Sequence, residues 1–454
     1  MSEIKATKPA PNRMLEGSIG QTLKELTLPM IYGMILLMSF GLVDTFFVSL
    51  LGTNELAAIS FTFPVTFTVI SLNIGLGIGT SAVIGKLLGA GLNQDARLSA
   101  MAALMSVFLL VGMLCAIGLL SIEPVFSLLG AESAQLPLIT DYMSVWYLAG
   151  VLLAIPMVGN SVLRASGDTK TPSIIMASGG AINAVLDPFL IFGLGPFPAM
   201  GIQGAAIATA IAWATGVVWI IVLLIKRELM VPRLLNLTEF LTHSKDVLRI
   251  GFPAAGANML TPIATGVVTA IVAGFGATAV AAWGVGGRLE TIASIVMLAL
   301  SMSLPPLLSQ NLGANRIDRV KEAYQLSLKF VLGFQLLVFV CLLISAPWIA
   351  KIFAREPDVT EWITLFLMIV PLGYGVQGVV VLTNSAFNAI HQPMYALALN
   401  ALRLFAFFVP FAFVGSIYYE LYGVFWGIVL ANTVMAFISY WMFKHSLNQL
   451  STGS

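Results

Sequence analysis

The sequence predicts an all-α polytopic membrane protein, with twelve transmembrane helices in two pseudo-twofold-related six-helix lobes around a central cleft. Three observations carry this reading. First, 58% of the 454 residues are hydrophobic and only 9% are Asp, Glu, Lys or Arg, against roughly a quarter charged in soluble domains, so water is not the main solvent. Second, the apolar residues gather into twelve stretches, each offering the about 20 residues that a helix needs to cross the hydrocarbon layer while satisfying its own backbone groups. Third, Leu88-Gly89-Ala90 recurs as Leu312-Gly313-Ala314, an offset of 313 − 89 = 224, and the same offset relates Pro29 to Pro253 and Gly52 to Gly276. Landmarks at one spacing indicate an internal repeat.

Hydropathy, with polar and Gly/Pro punctuation as boundaries, places the first six spans near residues 23 to 51, 56 to 86, 95 to 121, 135 to 164, 171 to 195 and 201 to 225. The second six lie near 246 to 275, 279 to 311, 318 to 349, 359 to 390, 394 to 418 and 423 to 446. The expected organisation is a cytoplasmic segment 1–22, an N-lobe 23–226, a cytoplasmic linker 227–245, a C-lobe 246–446 and a cytoplasmic tail 447–454. An even number of spans per unit makes the two copies enter the membrane in the same direction, about an axis along its normal. Near the end of each unit, the stretch Gly204 to Thr209 resembles Gly427 to Asn432.

Orientation follows from the basic residues. With the N-terminus inside, most Lys and Arg fall on the cytoplasmic side, including Lys226, Arg227, Arg233, Lys245 and Arg249, and only Lys351 and Arg355 lie outside. Both termini are therefore expected in the cytoplasm. Residues 1–22 hold Lys5, Lys8 and Arg13 and no apolar run that would serve as a cleaved signal. The net charge of +1 argues against a nucleic-acid partner. Cys115 and Cys341 sit in apolar runs, which argues against a disulfide framework or a Cys-rich metal site. There is no HExxH signature, and His243, His391 and His445 fall near membrane edges, so neither an intramembrane hydrolase nor a histidine proton relay is expected.

The chemistry concentrates in the N-lobe. Asp44 in span 1 and Asp187 in span 5 lie well inside apolar helices, where a charge costs at least a few kcal/mol unless it is paired, hydrated or neutralised. At 1.5 Å per residue both fall about 10 to 12 Å below the outer boundary. Tyr142 in span 4 and Thr209 in span 6 reach similar depth, and Asn183 shares the helix face of Asp187, four residues on. One polar layer accounts for all five, and it suits H⁺ or Na⁺ equally. Asn183, Thr209 and Tyr142 serve helix–helix hydrogen bonding as readily. Pro29, 44 − 29 = 15 residues before Asp44, is either a bending point or a helix start. In the second lobe the offset leads from Asp44 to Val268 and from Asp187 to Phe408, Val409 or Pro410, so the acid pair is not repeated. Arg288 and Glu290 in span 8 are two residues apart and point to different helix faces, which fits boundary or packing roles.

With these residues in hand, the chain resembles the multidrug and toxic compound extrusion (MATE) family, DinF-like branch, over nearly its full length. The resemblance is carried by Leu28-Pro29, Val43-Asp44-Thr45, the Leu-Gly-Ala repeat, Arg164-Ala165-Ser166-Gly167-Asp168-Thr169-Lys170-Thr171-Pro172, Asn183-Ala184-Val185-Leu186-Asp187-Pro188 and Gly204-Ala205-Ala206-Ile207-Ala208-Thr209. It implies an antiporter of the cytoplasmic membrane, bacterial or archaeal, that exports cationic or amphipathic compounds as H⁺ or Na⁺ enters. It implies no cofactor beyond that ion, a monomer as the working unit, and small organic substrates and the lipid bilayer as its partners. It also implies that Asp44, Asn183, Asp187 and Thr209 form the coupling site for H⁺ or a bound Na⁺, with Tyr142 beside it and Pro29 as the bend of helix 1. The nearest alternative is a lipid-linked oligosaccharide flippase, whose anionic cargo favours cavity-facing Arg or Lys where these N-lobe spans carry acids.

Overall fold

Apolar composition at this density leaves the backbone no solvent partner, so it folds into helices throughout. The computed structural model describes residues 13–452; Lys5 and Lys8 lie outside them. In order the helices are α1 (Arg13–Glu16), α2 (Ile19–Ser49), α3 (Thr53–Gly89), α4 (Asn93–Leu120), α5 (Ile122–Leu128), α6 (Leu136–Ala165), α7 (Lys170–Phe192) and α8 (Gly201–Lys226). The second unit has α9 (Leu237–Ala273), α10 (Ala277–Ala293), α11 (Ile295–Gly313), α12 (Ile317–Phe353), α13 (Pro357–Ile369), α14 (Tyr374–Ala389), α15 (Pro393–Ala401) and α16 (Val409–Thr452). A 3₁₀ turn, Val370–Gly373, joins α13 to α14, and a π-helical turn, Leu402–Phe408, joins α15 to α16.

Among the described residues eleven helical stretches are long and apolar enough to cross a membrane. The last of them, Pro393–Ser451, folds back at Tyr419 and Glu420, where φ becomes −137° and 52°, and so crosses twice. At this reversal Gly415 and Gly423 lie back to back, each in the space that a side chain on the other would need. Span 8 is interrupted at Ser294, between α10 and α11.

Three boundaries differ from the hydropathy reading. α9 begins at Leu237, inside the expected linker, because Asn236 starts it with a capping box: its side chain accepts the Glu239 N–H at 2.8 Å, and Glu239 accepts the Asn236 N–H at 3.2 Å. Arg233 adds a two-pronged bond to Glu239 at 2.8 and 2.7 Å. The polar turns that follow are helix without being apolar, which hydropathy cannot register. α2 begins at Ile19 and α16 runs to Thr452, so both polar ends of the sequence are partly helical.

Glycine sets how closely the lobes approach. The two copies of the repeated Leu-Gly-Ala cross each other: a methyl group on Gly89 would run into the Gln310 carbonyl of α11, and one on Gly313 into the Lys86 carbonyl of α3. Gly75 and Gly79 of α3 likewise abut Val247, Gly251 and Ala255 of α9. Polar bonds cross at the same end, from Gln310 Nε2 to the Ala165 carbonyl at 2.7 Å and between His391 Nε2 and the Ala82 carbonyl at 3.2 Å. These contacts gather where both termini lie. Toward the opposite face Phe63 and Phe67 of α3 and Met259, Ile263 and Val267 of α9 are exposed.

α2 belongs to both lobes. Its first half puts Ile19, Leu23 and Leu26 into the same apolar cluster as Leu304, Leu307 and Tyr324 of the C-lobe. Its second half leaves that cluster and lies on α7, where Gly33 meets Ser173 at 2.9 Å from an added Cβ and Gly180 receives the Phe40 ring.

Candidate functional site

Short polar side chains meet only if their helices approach to backbone range, and small residues provide that approach. α2 reaches α7 through Gly33 and Gly180, as above. α7 ends at Gly193, whose left-handed φ of 72° an ordinary side chain would strain. The chain then returns as α8, with Gly204 against the Leu190 carbonyl. α6 is held to α8 by Gly159 against Ile220 and by the edge-to-face pair Trp146–Trp213 at 5.9 Å.

The five polar residues expected in the outer half of the N-lobe lie together. Asn183 Nδ2 donates to Asp187 Oδ1 at 3.2 Å and to Thr209 Oγ1 at 3.1 Å, tying α7 to α8. Asp187 is fully buried. Asp44 comes in from α2, half-buried, with its carboxyl group close enough to that of Asp187 for the two to interact. Tyr142 of α6, half-buried, lies within electrostatic range of both acids. One oxygen of each acid, Asp44 Oδ1 and Asp187 Oδ2, is buried without a hydrogen-bond partner.

Two carboxylates this close repel strongly when both are charged, and a single proton or cation between them removes the repulsion. The donors around them are oxygens of carboxylates and a hydroxyl, a set suited to a hard cation or a proton. The arrangement can therefore hold one small positive charge in a protein-lined compartment.

Pro29 lies ten positions inside an uninterrupted α2, which removes the helix-start reading. It stands where α2 passes from its C-lobe neighbours at Leu26 to its N-lobe neighbours at Met30 and Gly33. Having no N–H, it leaves the Glu25 carbonyl without its helical donor.

The family-like segment from Arg164 to Pro172 serves a different end of the lobe. Asp168 accepts the Thr171 N–H at 2.9 Å at the start of α7 and pairs with Arg227 at the end of α8. Burial pushes its carboxyl up, but the bonds from Thr171 and Arg227 outweigh this and hold it below the usual carboxylate range.

Val268, the repeat partner of Asp44, is buried in an apolar cluster. The C-lobe interior is nonetheless not purely apolar. Glu290 of α10 accepts a hydrogen bond from Gln377 of α14, and Arg403 of the π-helical turn lies within electrostatic range of it, a grouping that reading Glu290 beside Arg288 in one helix did not reveal. The signal available was a second intramembrane charge of opposite sign, Arg403, three spans away.

Known transporters resemble this chain in sequence and fold. The MatE family model matches the chain twice, at residues 29–189 and 253–414, a displacement of 253 − 29 = 224 that equals the repeat offset. A FAD transporter of Shewanella oneidensis is 42% identical over 430 residues, covering 94% of this chain and 95% of that protein. The multidrug export protein MepA of Staphylococcus haemolyticus is 26% identical, covering 96% of each. The crystal structure of the Vibrio cholerae MATE transporter VcmN in its bent form is 33% identical and matches with a TM-score of 0.91, over 96% of this chain and 98% of that one. Twelve crossings in two repeated lobes, the doubled family match and full-length similarity to such transporters together make this chain a member of the MATE family of membrane transporters.

Proposed function

We propose that this transporter is an ion-coupled exporter, which exchanges organic compounds for H⁺ or Na⁺ by alternating access across the cytoplasmic membrane, as a monomer with both termini inside. The observation that carries the reading is the convergence of Asp44, Asp187, Asn183 and Thr209 in one buried N-lobe cluster. Asp44 and Asp187 share one positive charge, while Asn183 fixes Asp187 and Thr209 in place. Tyr142 walls the site, and Pro29 gives α2 a weak point between its two packing partners.

Coupling needs the ion to bind one lobe arrangement better than the other, because a ligand shifts an equilibrium only by its differential affinity. Asp44 supplies that difference, since it rides on α2, the helix shared between the lobes. A movement of α2 at Pro29 alters the Asp44–Asp187 distance, and occupation of the site feeds back on α2.

For substrate, the multidrug exporter among the relatives supports cationic or amphipathic compounds. The FAD transporter, at 42% identity, favours a second reading, an anionic aromatic nucleotide. The coupling test is transport by purified protein in vesicles with proton and sodium gradients imposed separately. One gradient should drive export in the parent, and Asp44→Asn should abolish that drive; undiminished gradient-driven export by the variant rejects the coupling role.

A further inference from the structure

The polar cluster inside the C-lobe is not used by ion coupling at Asp44 and Asp187. Glu290, in the last turn of α10, accepts a hydrogen bond from Gln377 Nε2 at 3.2 Å. Arg403 lies within electrostatic range of Glu290, yet among the described residues the ion pairs do not include it. Its side chain belongs to a residue only 8% exposed. One Nη reaches Asn400 Oδ1 at 3.5 Å, a long bond, and Nε has no partner. Tyr374, 1% exposed, is also within range of Glu290, and its hydroxyl has no partner either. Asn400 is itself fixed by donating to the Ala257 carbonyl of α9 at 2.5 Å.

A structural ion pair would close into the direct, two-pronged contact that compensates the burial of both charges. Here the guanidinium stays off the carboxylate. Buried donors without partners are uncommon in native folds, and two of them, Arg403 Nε and the Tyr374 hydroxyl, belong to residues within electrostatic range of one carboxylate. The π-helical turn that carries Arg403 is a second, independent sign, since such widened turns concentrate at functional sites. Glu290 and Gln377 remain half-exposed, so the cluster is not sealed.

The exposed face of α10 is Gly284, Gly287, Arg288 and Thr291, and the offset of 224 maps it onto the exposed Ser60, Phe63, Pro64 and Phe67 of α3. A guanidinium at this depth does not face hydrocarbon. The two faces are therefore equivalent by the repeat, and Arg288 gives the exposed side of α10 a positive charge.

We propose that the C-lobe cluster is the subsite for a phosphate ester carried by the substrate, with Arg403 as its main ligand, the Tyr374 hydroxyl as a second donor and Glu290 as a counter-ion that the phosphate displaces. This rests on the exporter reading above and adds the chemical group that the C-lobe holds. A phosphate suits the arrangement because its oxygens engage the guanidinium fork and a hydroxyl at once.

The test compares riboflavin with riboflavin 5′-phosphate, which share a ring system and differ in the phosphate. Equilibrium binding to the full chain in lipid nanodiscs is followed by flavin fluorescence, without any gradient. The parent should prefer the ester, and Arg403→Gln should lower affinity for the ester about ten- to hundredfold while lowering that for riboflavin far less. Tyr374→Phe should reduce the preference by about threefold or more; a purely structural tyrosine whose hydroxyl has no partner would leave it unchanged. Glu290→Gln should strengthen ester binding. Absence of an ester preference in the parent, equal loss for both compounds in Arg403→Gln, or weaker ester binding in Glu290→Gln overturns the proposal. Because no gradient is involved, failed antiport with intact ester selectivity would count against the coupling reading alone.

Discussion

Replacing Gly79 by alanine places one methyl group at the seam between the lobes, and its effect can be worked from the contacts there. The added carbon would strike the Val247 carbonyl and come within 2.9 Å of Gly251 N and 3.2 Å of Gly251 Cα. All three are backbone atoms, so no side chain can rotate away and α3 and α9 must separate. Overpacking of this kind costs about 1–3 kcal/mol. The strain exists only while the lobes are apposed at the termini-bearing end, so it destabilises that state selectively and shifts the balance of states by about 5- to 150-fold. Electron–electron resonance between labels at Asn54 and Ala277, at the opposite ends of α3 and α10, reads the shift. Cys115 and Cys341 are first replaced, the latter being exposed. The distance between the labels should shorten in Gly79→Ala as that end closes. Gly179→Ala, where an added Cβ meets nothing within 4 Å, should leave the distances as in the parent. A Gly79→Ala protein with the parent's distance distribution and thermal stability would refute the claim that this crossing sets the closed end.

Four further outcomes are expected. Asn183→Ala removes a donor to the Asp187 carboxylate and its tie to Thr209; because that bond favours the charged acid, its loss should raise the proton affinity of the site about tenfold or more, read from the pH dependence of transport in vesicles. Pro29→Ala restores an N–H for the Glu25 carbonyl and should stabilise straight α2, so turnover should fall while ion binding to the purified protein persists. Asn236→Ala loses one arm of the capping box and should cost about 1 kcal/mol, visible as a lower melting temperature in detergent. Asp168 is held below its ordinary value of 3.8 in the fold, so its contribution to stability is complete above that value and is lost as the pH falls through the folded one. Asp168→Asn should therefore lower stability at neutral pH by about 0.5–1 kcal/mol, Arg227 being 41% exposed, and the gap to the parent should close as the pH is taken below 3.8.

Much of the N-lobe polar cluster was legible from residues because each of its acids stands out against an apolar helix. Asp44 and Asp187 declare themselves by their cost in hydrocarbon, and counting residues from the span ends put Tyr142, Asn183 and Thr209 at one depth. Pro29 illustrates the limit. Hydropathy counts a helix from its first apolar residue, so a proline near that point reads as a start, whereas α2 begins ten residues earlier at Ile19. The capped entrance to α9 was missed for the same reason, its first turns being helical through side-chain bonds of Asn236, Glu239 and Arg233.

What the sequence by itself determined was the solvent, the number of crossings, the duplication and the helices that carry charge, because each is a property of local composition or of spacing along the chain. Only the tertiary structure decided which charges lie near one another. Glu290 and Arg403 lie in different spans, and their approach depends on how α10, α14 and the π-helical turn rotate about their axes. It also decided why the repeated glycines are glycines: Gly89 and Gly313 sit where two symmetry-related helices cross with backbone against backbone. Contact across a helix pair is set by rotation and crossing angle, and neither leaves a period that one chain, read alone, can display.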